Sequence, residues 1–291
     1  MNELASAVER VWPGRETRVE VLGGGITNHN LKVEVDGETF VLRVAGKDTN
    51  LLGIDRTVEL EATRAAATLG IGPEVVDFVE PEGWLVTRFV VGETPPPERM
   101  REPELLARVA DALGALHAGP PIPGTFDSFR VVETYRDTAL ALGGSVPVEY
   151  EWAHGLATEI ERLRGDTAPC PCHNDLLNAN FLEDAEHLRI VDWEYAGMGD
   201  PFFDLANFSI NHELDEQGRA VLLEAYGATS DEDARALELM RFMSDFREAM
   251  WGVVQTAVSE LDFDFADYAA EHFERLRRTA DEPRFRTALG A

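Results

Sequence analysis

Apolar and polar positions change their period along the chain. Between residues 19 and 45 they alternate, as Val19-Glu20-Val21-Leu22, Leu31-Lys32-Val33-Glu34-Val35 and Thr39-Phe40-Val41-Leu42-Arg43-Val44. A period of two predicts half-buried strands, and Asp36-Gly37 between the last two runs is a hairpin signal. Residues 56–69, closed by Gly70, read as a helix. Two more strands are expected at 71–76 and 83–90. The proline-rich stretch 92–97 interrupts the pattern and marks the boundary between a first unit, 1–92, and a second, 93–291.

After that boundary the period lengthens. Leu105, Leu106, Val109, Leu113 and Leu116 predict an amphipathic helix from Pro103 to His117, stopped by Gly119-Pro120. His117 is expected as a helix-terminal or core histidine. Residues 120–144 read as loop. Trp152, Leu156, Ile160 and Leu163 share one face of a helix over 148–164, and residues 188–191 form a short strand that ends on Asp192. Mostly helix follows. Strands first and helices afterwards give an α+β chain.

Composition narrows the picture. The 291 residues are 44% hydrophobic and 27% charged, ordinary for a globular protein. No apolar run approaches the roughly 20 residues of a membrane span, and Met1-Asn2-Glu3-Leu4 lacks the layout of a signal peptide. The expectation is a cytoplasmic protein. A formal charge of −28 argues against nucleic acid, which is bound by neutralising phosphates with cations, and against an anionic membrane. It would attract a cationic substrate, or serve solubility alone. Cys170 and Cys172 are too close for an unstrained disulfide. Cys-x-Cys-His is too compact for structural zinc, so the thiols are expected reduced and packed. Oligomeric state is not legible.

The candidate chemistry lies in Cys172-His173-Asn174-Asp175-Leu176-Leu177-Asn178-Ala179-Asn180 and in the later Ile190-Val191-Asp192-Trp193-Glu194-Tyr195. Phosphoryl transfer from ATP needs a carboxylate to accept a hydroxyl proton, then an amide and a second carboxylate to hold Mg²⁺. Asp175, Asn180 and Asp192 supply these types in that order. The glycine turn over 23–30 includes Gly24, Gly25, Thr27 and Asn28, and its backbone N–H groups are suited to approach phosphate oxygens.

This motif resembles that of the aminoglycoside phosphotransferase and choline kinase superfamily. It also parallels the H-R-D-x-x-x-x-N and D-F-G elements of protein kinases. The continuation Asp192-Trp193-Glu194-Tyr195-Ala196-Gly197 and Asp200-Pro201-Phe202-Phe203-Asp204-Leu205-Ala206-Asn207 is most similar to the choline/ethanolamine kinase branch. The resemblance implies a two-lobed protein-kinase-like fold, with a small antiparallel-sheet N-lobe carrying one main helix and a larger helical C-lobe. It implies Asp175 as base, His173 as loop organiser, and Asn180 and Asp192 as Mg²⁺ ligands. Arg43 would contact ATP phosphates and pair with Glu59, with Glu61 in reserve, while Arg88, Phe89 and Val90 would meet adenine. Asp204 would brace the loop or lie near substrate.

The resemblance continues at Arg247-Glu248-Ala249-Met250-Trp251-Gly252-Val253-Val254-Gln255 and at Phe263-Asp264-Phe265-Ala266-Asp267-Tyr268. There Tyr195, Trp251 and Tyr268 match aromatic positions of a choline pocket, and Glu194 is a candidate counter-charge. Glu248 stands where relatives often carry a second tryptophan, which suits a primary amine better than a quaternary one. The implied activity is transfer of the ATP γ-phosphoryl group to a small cationic alcohol, choline or ethanolamine first. An aminoglycoside, thiamine or another amino alcohol is the alternative acceptor. A binding module without catalysis is the alternative class.

Overall fold

The structure, a computed structural model, describes every residue except 1, 24–27, 47–48, 260, 262 and 291. Gly24, Gly25 and Thr27 therefore lie outside the described residues. Helix α1 (Asn2–Val11) precedes strands β1 (Thr17–Leu22), β2 (Asn28–Val35) and β3 (Glu38–Ala45), then helix α2 (Arg56–Thr68) and strands β4 (Val75–Val79) and β5 (Trp84–Arg88). The five strands form one antiparallel sheet in the order β1-β2-β3-β5-β4. On β3 the buried positions Phe40, Leu42 and Val44 alternate with Val41 and Arg43. The first set packs with Leu31, Val33 and Val35 of β2 and with Ala7 and Val8 of α1. Successive strand residues point to opposite faces, so Arg43 is turned away from this core.

Strand β4 begins later than the expected 71–76. Both Ile71 and Gly72 direct their N–H groups to Ala66 O, so this stretch caps α2 instead of extending as a strand. Gly70, at φ +75°, makes that turn possible. Ala62 and Ala66 of α2 belong to the larger hydrophobic cluster of the helical part.

Helix α3 spans Pro103–His117 as its periodicity predicts, and α5 spans Glu149–Arg164. Helix α4 (Ser128–Ala141) is a correction to the loop reading of 120–144. The Asp127 side chain caps it through the N–H groups of Phe129 and Arg130, and Val132, Tyr135 and Ala139 face inward. Four short strands follow: β6 (Cys170–Cys172) pairs with β9 (Gly197–Gly199), and β7 (Phe181–Glu183) with β8 (Leu188–Ile190). The chain ends in α6 (Pro201–Asn211), α7 (Glu216–Tyr226), α8 (Asp231–Val258), α9 (Phe265–Asp281) and α10 (Pro283–Leu289). Helix α8 is buried along most of its length against α4, α6 and α9. Among the described residues no helix is long and apolar enough to cross a membrane.

Candidate active site

The loop between β6 and β7 carries His173, Asp175 and Asn180, and α6 holds it by its backbone. Fully buried Asp204 accepts the N–H groups of His173 (2.8 Å) and Asn174 (2.7 Å). Asn207, one turn along, accepts the N–H of Leu176 at 2.6 Å and is itself fixed by Ser244 of α8. The first turn of α6 is set by Asp200, which caps the helix ahead of Pro201. Of the two roles open for Asp204, the geometry gives the brace; its oxygens are occupied by the loop and by His117.

His173 is fully buried and clasps two segments. Its Nδ1 lies 3.2 Å from the N–H of Asp175, and Nε2 lies 3.1 Å from Val191 O. One neutral tautomer, protonated on Nε2, satisfies both contacts. Burial lowers the imidazole pKa and favours that form. Asp192 follows in a left-handed conformation, φ +68°.

A cavity of about 360 Å³ lies between sheet and loop, lined by Leu22, Val41, Arg43, Glu59, Leu85, Phe89, Val90, Asn180, Asp192 and Trp193 among others. Arg43 crosses it: its Nη1 is 2.5 Å from Glu59 Oε1 and 2.7 Å from Asp192 Oδ1. These anions hold the guanidinium firmly charged despite its burial. Asn180 donates to Asp175 O at 2.8 Å and to Asp175 Oδ2 at 3.3 Å. None of the described residues hydrogen-bonds Asn180 Oδ1 or Asp192 Oδ2, so two hard oxygen donors are available at one end of the cavity. That donor set fits Mg²⁺. At the other end the N–H groups of Arg88 and Phe89 are taken by Glu74 O and Thr39 O. The Arg88 side chain turns outward to Glu38 and the Phe40 ring. Among the described residues the Val90 N–H meets no backbone acceptor.

Asn28, expected near the phosphates, and Glu194, the candidate counter-charge, meet each other across the cleft. Asn28 Nδ2 donates to Glu194 Oε2 at 2.8 Å, and Asn28 Oδ1 accepts from Arg56 at 2.8 Å. Arg56 also reaches Glu59 at 2.7 Å and Glu194 at 3.2 Å. Glu194 is thus tied to the cleft network through Asn28 and Arg56. Burial and the nearby Asp192 push its carboxyl up to about 7. A turn closed by Ala196 N–H to Trp193 O sends Glu194 and Tyr195 to different neighbours.

Tyr195, Trp251 and Tyr268 do come together. Trp251 Nε1 donates to Tyr195 Oη at 2.8 Å, and the Trp251 and Tyr268 rings meet edge-on at 5.5 Å. The sequence did not single out Arg247, whose guanidinium lies over Tyr195, 5.1 Å from the ring centroid. Its Nη2 is 3.3 Å from Asp175 Oδ1 and also bonds Asn174 O. Glu248 is buried beside it. Glu248 Oε1 is 2.9 Å from Arg247 Nη1 but poorly aligned for a hydrogen bond, while Oε2 accepts from Tyr268 at 2.9 Å. Asp175 is pushed up to about 7, mainly by burial; Arg247 opposes the rise, and Glu248 and Asp192 add to it. A carboxylate that titrates near neutrality beside a cleft is suited to accept a proton.

Residues 18–240 match the model of the phosphotransferase enzyme family. The chain is 28% identical to ethanolamine kinase 2 of Rattus norvegicus, over 91% of this chain and 76% of the rat protein. A choline/ethanolamine kinase family protein from Mesorhizobium loti superposes with a TM-score of 0.83 at 28% identity, covering 100% of this chain and 98% of that one. The choline kinase LicA from Streptococcus pneumoniae shares the fold, with a TM-score of 0.80 at 23% identity over 96% and 98% of the two chains. The fold is protein-kinase-like.

Proposed function

Because the chain belongs to the phosphotransferase enzyme family and is a kinase, we propose that it transfers the γ-phosphoryl group of ATP to the hydroxyl of a small amino alcohol. The observation that carries this reading is that Asn180 and Asp192 line the cavity crossed by Arg43, with Asp175 held directly behind Asn180 by its side-chain amide. The base would stack beside Val90, and the phosphates would lie toward Arg43. Mg²⁺, when held by Asn180 Oδ1 and Asp192 Oδ2, supplies charge neutralisation at the transferred group. Arg43 releases Asp192 Oδ1 to meet the phosphates and stays anchored by Glu59. Asp175 accepts the hydroxyl proton as the oxygen attacks phosphorus, with Asn180 and Arg247 fixing its two oxygens.

On the acceptor side, an ethanolamine-type primary amine is the reading best supported. The Tyr195 face that would hold a quaternary cation already carries Arg247. Buried Glu248 keeps an oxygen without a well-aligned donor, a position an ammonium N–H can satisfy and a tetraalkylammonium cannot. The named relatives include both ethanolamine and choline kinases. The test is Mg²⁺-dependent ADP release with ethanolamine, choline, thiamine and kanamycin, with Asp175→Asn as control. Turnover with ethanolamine above choline supports the reading. Turnover on kanamycin or thiamine alone, or none on any acceptor, overturns it.

A further inference from the structure

Away from the cleft, the described residues bring one set of metal-ligating side chains together. His117, the last residue of α3, meets Cys170 and Cys172 of β6, and one ligand atom from each lies within 4.8 Å of the others. Residues i and i+2 of a strand share a face, so β6 presents both thiols on one side, with sulfurs 3.8 Å apart. Both cysteines are free. Two sulfurs, each about 2.3 Å from a tetrahedral zinc ion, lie roughly 3.8 Å from one another along the tetrahedron's edge. The pair is therefore already spaced for one ion.

The histidine is oriented to complete such a set. Its Nε2 is 3.1 Å from Asp204 Oδ2, and its Nδ1 is 2.7 Å from Tyr226 Oη. With the proton on Nε2 facing Asp204, Nδ1 keeps a lone pair. A carboxylate holding one nitrogen while the other ligates is the usual arrangement around zinc. Cys170 is only half-buried, which gives an ion a route to the buried Cys172.

We propose that Cys170 Sγ, Cys172 Sγ and His117 Nδ1 form a site for a thiophilic divalent cation of the Zn²⁺ class. Tyr226 gives up its bond to Nδ1, and either its oxygen or water takes the fourth position. Each thiol loses its proton as its sulfur–metal bond forms, so one ion releases two protons to solvent. Sulfur ligation separates this site from the oxygen donors of the cleft, which suit Mg²⁺. Asp204 links the two places, because the same carboxylate that orients His117 also holds the backbone of His173 and Asn174.

The experiment is titration of the reduced, chelator-stripped full chain with Co²⁺ and then Zn²⁺. Absorption is followed for thiolate-to-cobalt charge transfer and tetrahedral bands, with proton release and thermal unfolding read in parallel. The expected result is one equivalent bound, two protons released, and a rise in Tm with Zn²⁺. Cys170→Ser and Cys172→Ser should each lose the charge-transfer intensity in part and weaken binding by about 10-fold or more. Half-buried Cys170 keeps the test valid should Cys172→Ser fold poorly. Absence of the charge-transfer band in wild-type protein, or an unchanged band in Cys170→Ser, overturns the proposal. None of these readouts depends on kinase turnover, so the site and the catalytic reading can fail separately.

Discussion

The Arg247 guanidinium rests on the Tyr195 ring with 5.1 Å between its carbon and the ring centroid. Its charge also lies 3.3 Å from Asp175. One buried cation thus touches both the proposed base and the aromatic face of the acceptor side. Removing it should act on both. In Arg247→Met the Asp175 carboxyl loses an opposing charge, its pKa rises above about 7, and the rising limb of kcat/KM moves to higher pH. The choline-to-ethanolamine KM ratio should fall as the Tyr195 face opens. A pH–rate profile with both acceptors reads the two effects, and unchanged midpoints would remove Arg247 from the site.

Glu248→Gln should move the same limb the opposite way. Glu248 helps raise Asp175, so a neutral amide lets the carboxylate form at lower pH. Ethanolamine KM should rise by more than choline KM. An equal rise for both would assign Glu248 to packing alone.

Asp175→Asn keeps the shape of the loop and abolishes the base. Turnover should fall by about 10²–10⁴-fold, while nucleotide affinity, measured by calorimetry, should change little. A rate near that of wild type would exclude Asp175 from proton transfer.

Glu59 neutralises Arg43 and Arg56 at 2.5 and 2.7 Å in a buried site. Breaking a buried ion pair by removing one partner costs about 3–5 kcal/mol. Glu59→Gln should therefore lower the denaturant midpoint and raise the KM for ATP as Arg43 loses its anchor. A fully stable variant would show that Asp192 and Glu194 suffice.

Buried His212 packs 4.3 Å from the Phe208 ring. Burial depresses its pKa to about 4. The unfolded chain takes up a proton near pH 6.5 and the folded one does not, so this contribution is present above that pH and fades as pH falls toward 4. By pH 5 the loss amounts to about 2 kcal/mol. The stability lost between pH 7 and pH 5 should shrink by that order in His212→Phe, measured by urea unfolding.

How much could be read from the sequence followed the range of the interactions. The bounds of α3 and the order of Asp175, Asn180 and Asp192 are local and periodic, and they were legible. Helix α4 was not, because its inward stripe of Ser128, Val132, Tyr135 and Ala139 is only weakly apolar and lies in a stretch flanked by glycine and proline. The pairing of Asn28 with Glu194 spans 166 positions and leaves no trace in a pattern of periods. Arg247 was legible only as part of the run 247–255, because nothing in an Arg-Glu pair on a helix shows that it is buried until α8 is seen packed on both sides. His117 and the two cysteines likewise belong to separate segments that only folding brings side by side.

Asp204 and Asn207 grip the loop by peptide N–H groups alone, from one face of α6. Peptide groups are the same whatever side chain they carry, so α6 works as a ruler that fixes the line on which the loop runs. The side chains of His173 and Asn174 add their own bonds to that line, to Asp175 N–H, Val191 O and Tyr195 O. Inserting a single residue between Asp204 and Asn207 would turn one mark by about 100° away from the other, and the loop would lose its place even with every catalytic residue intact.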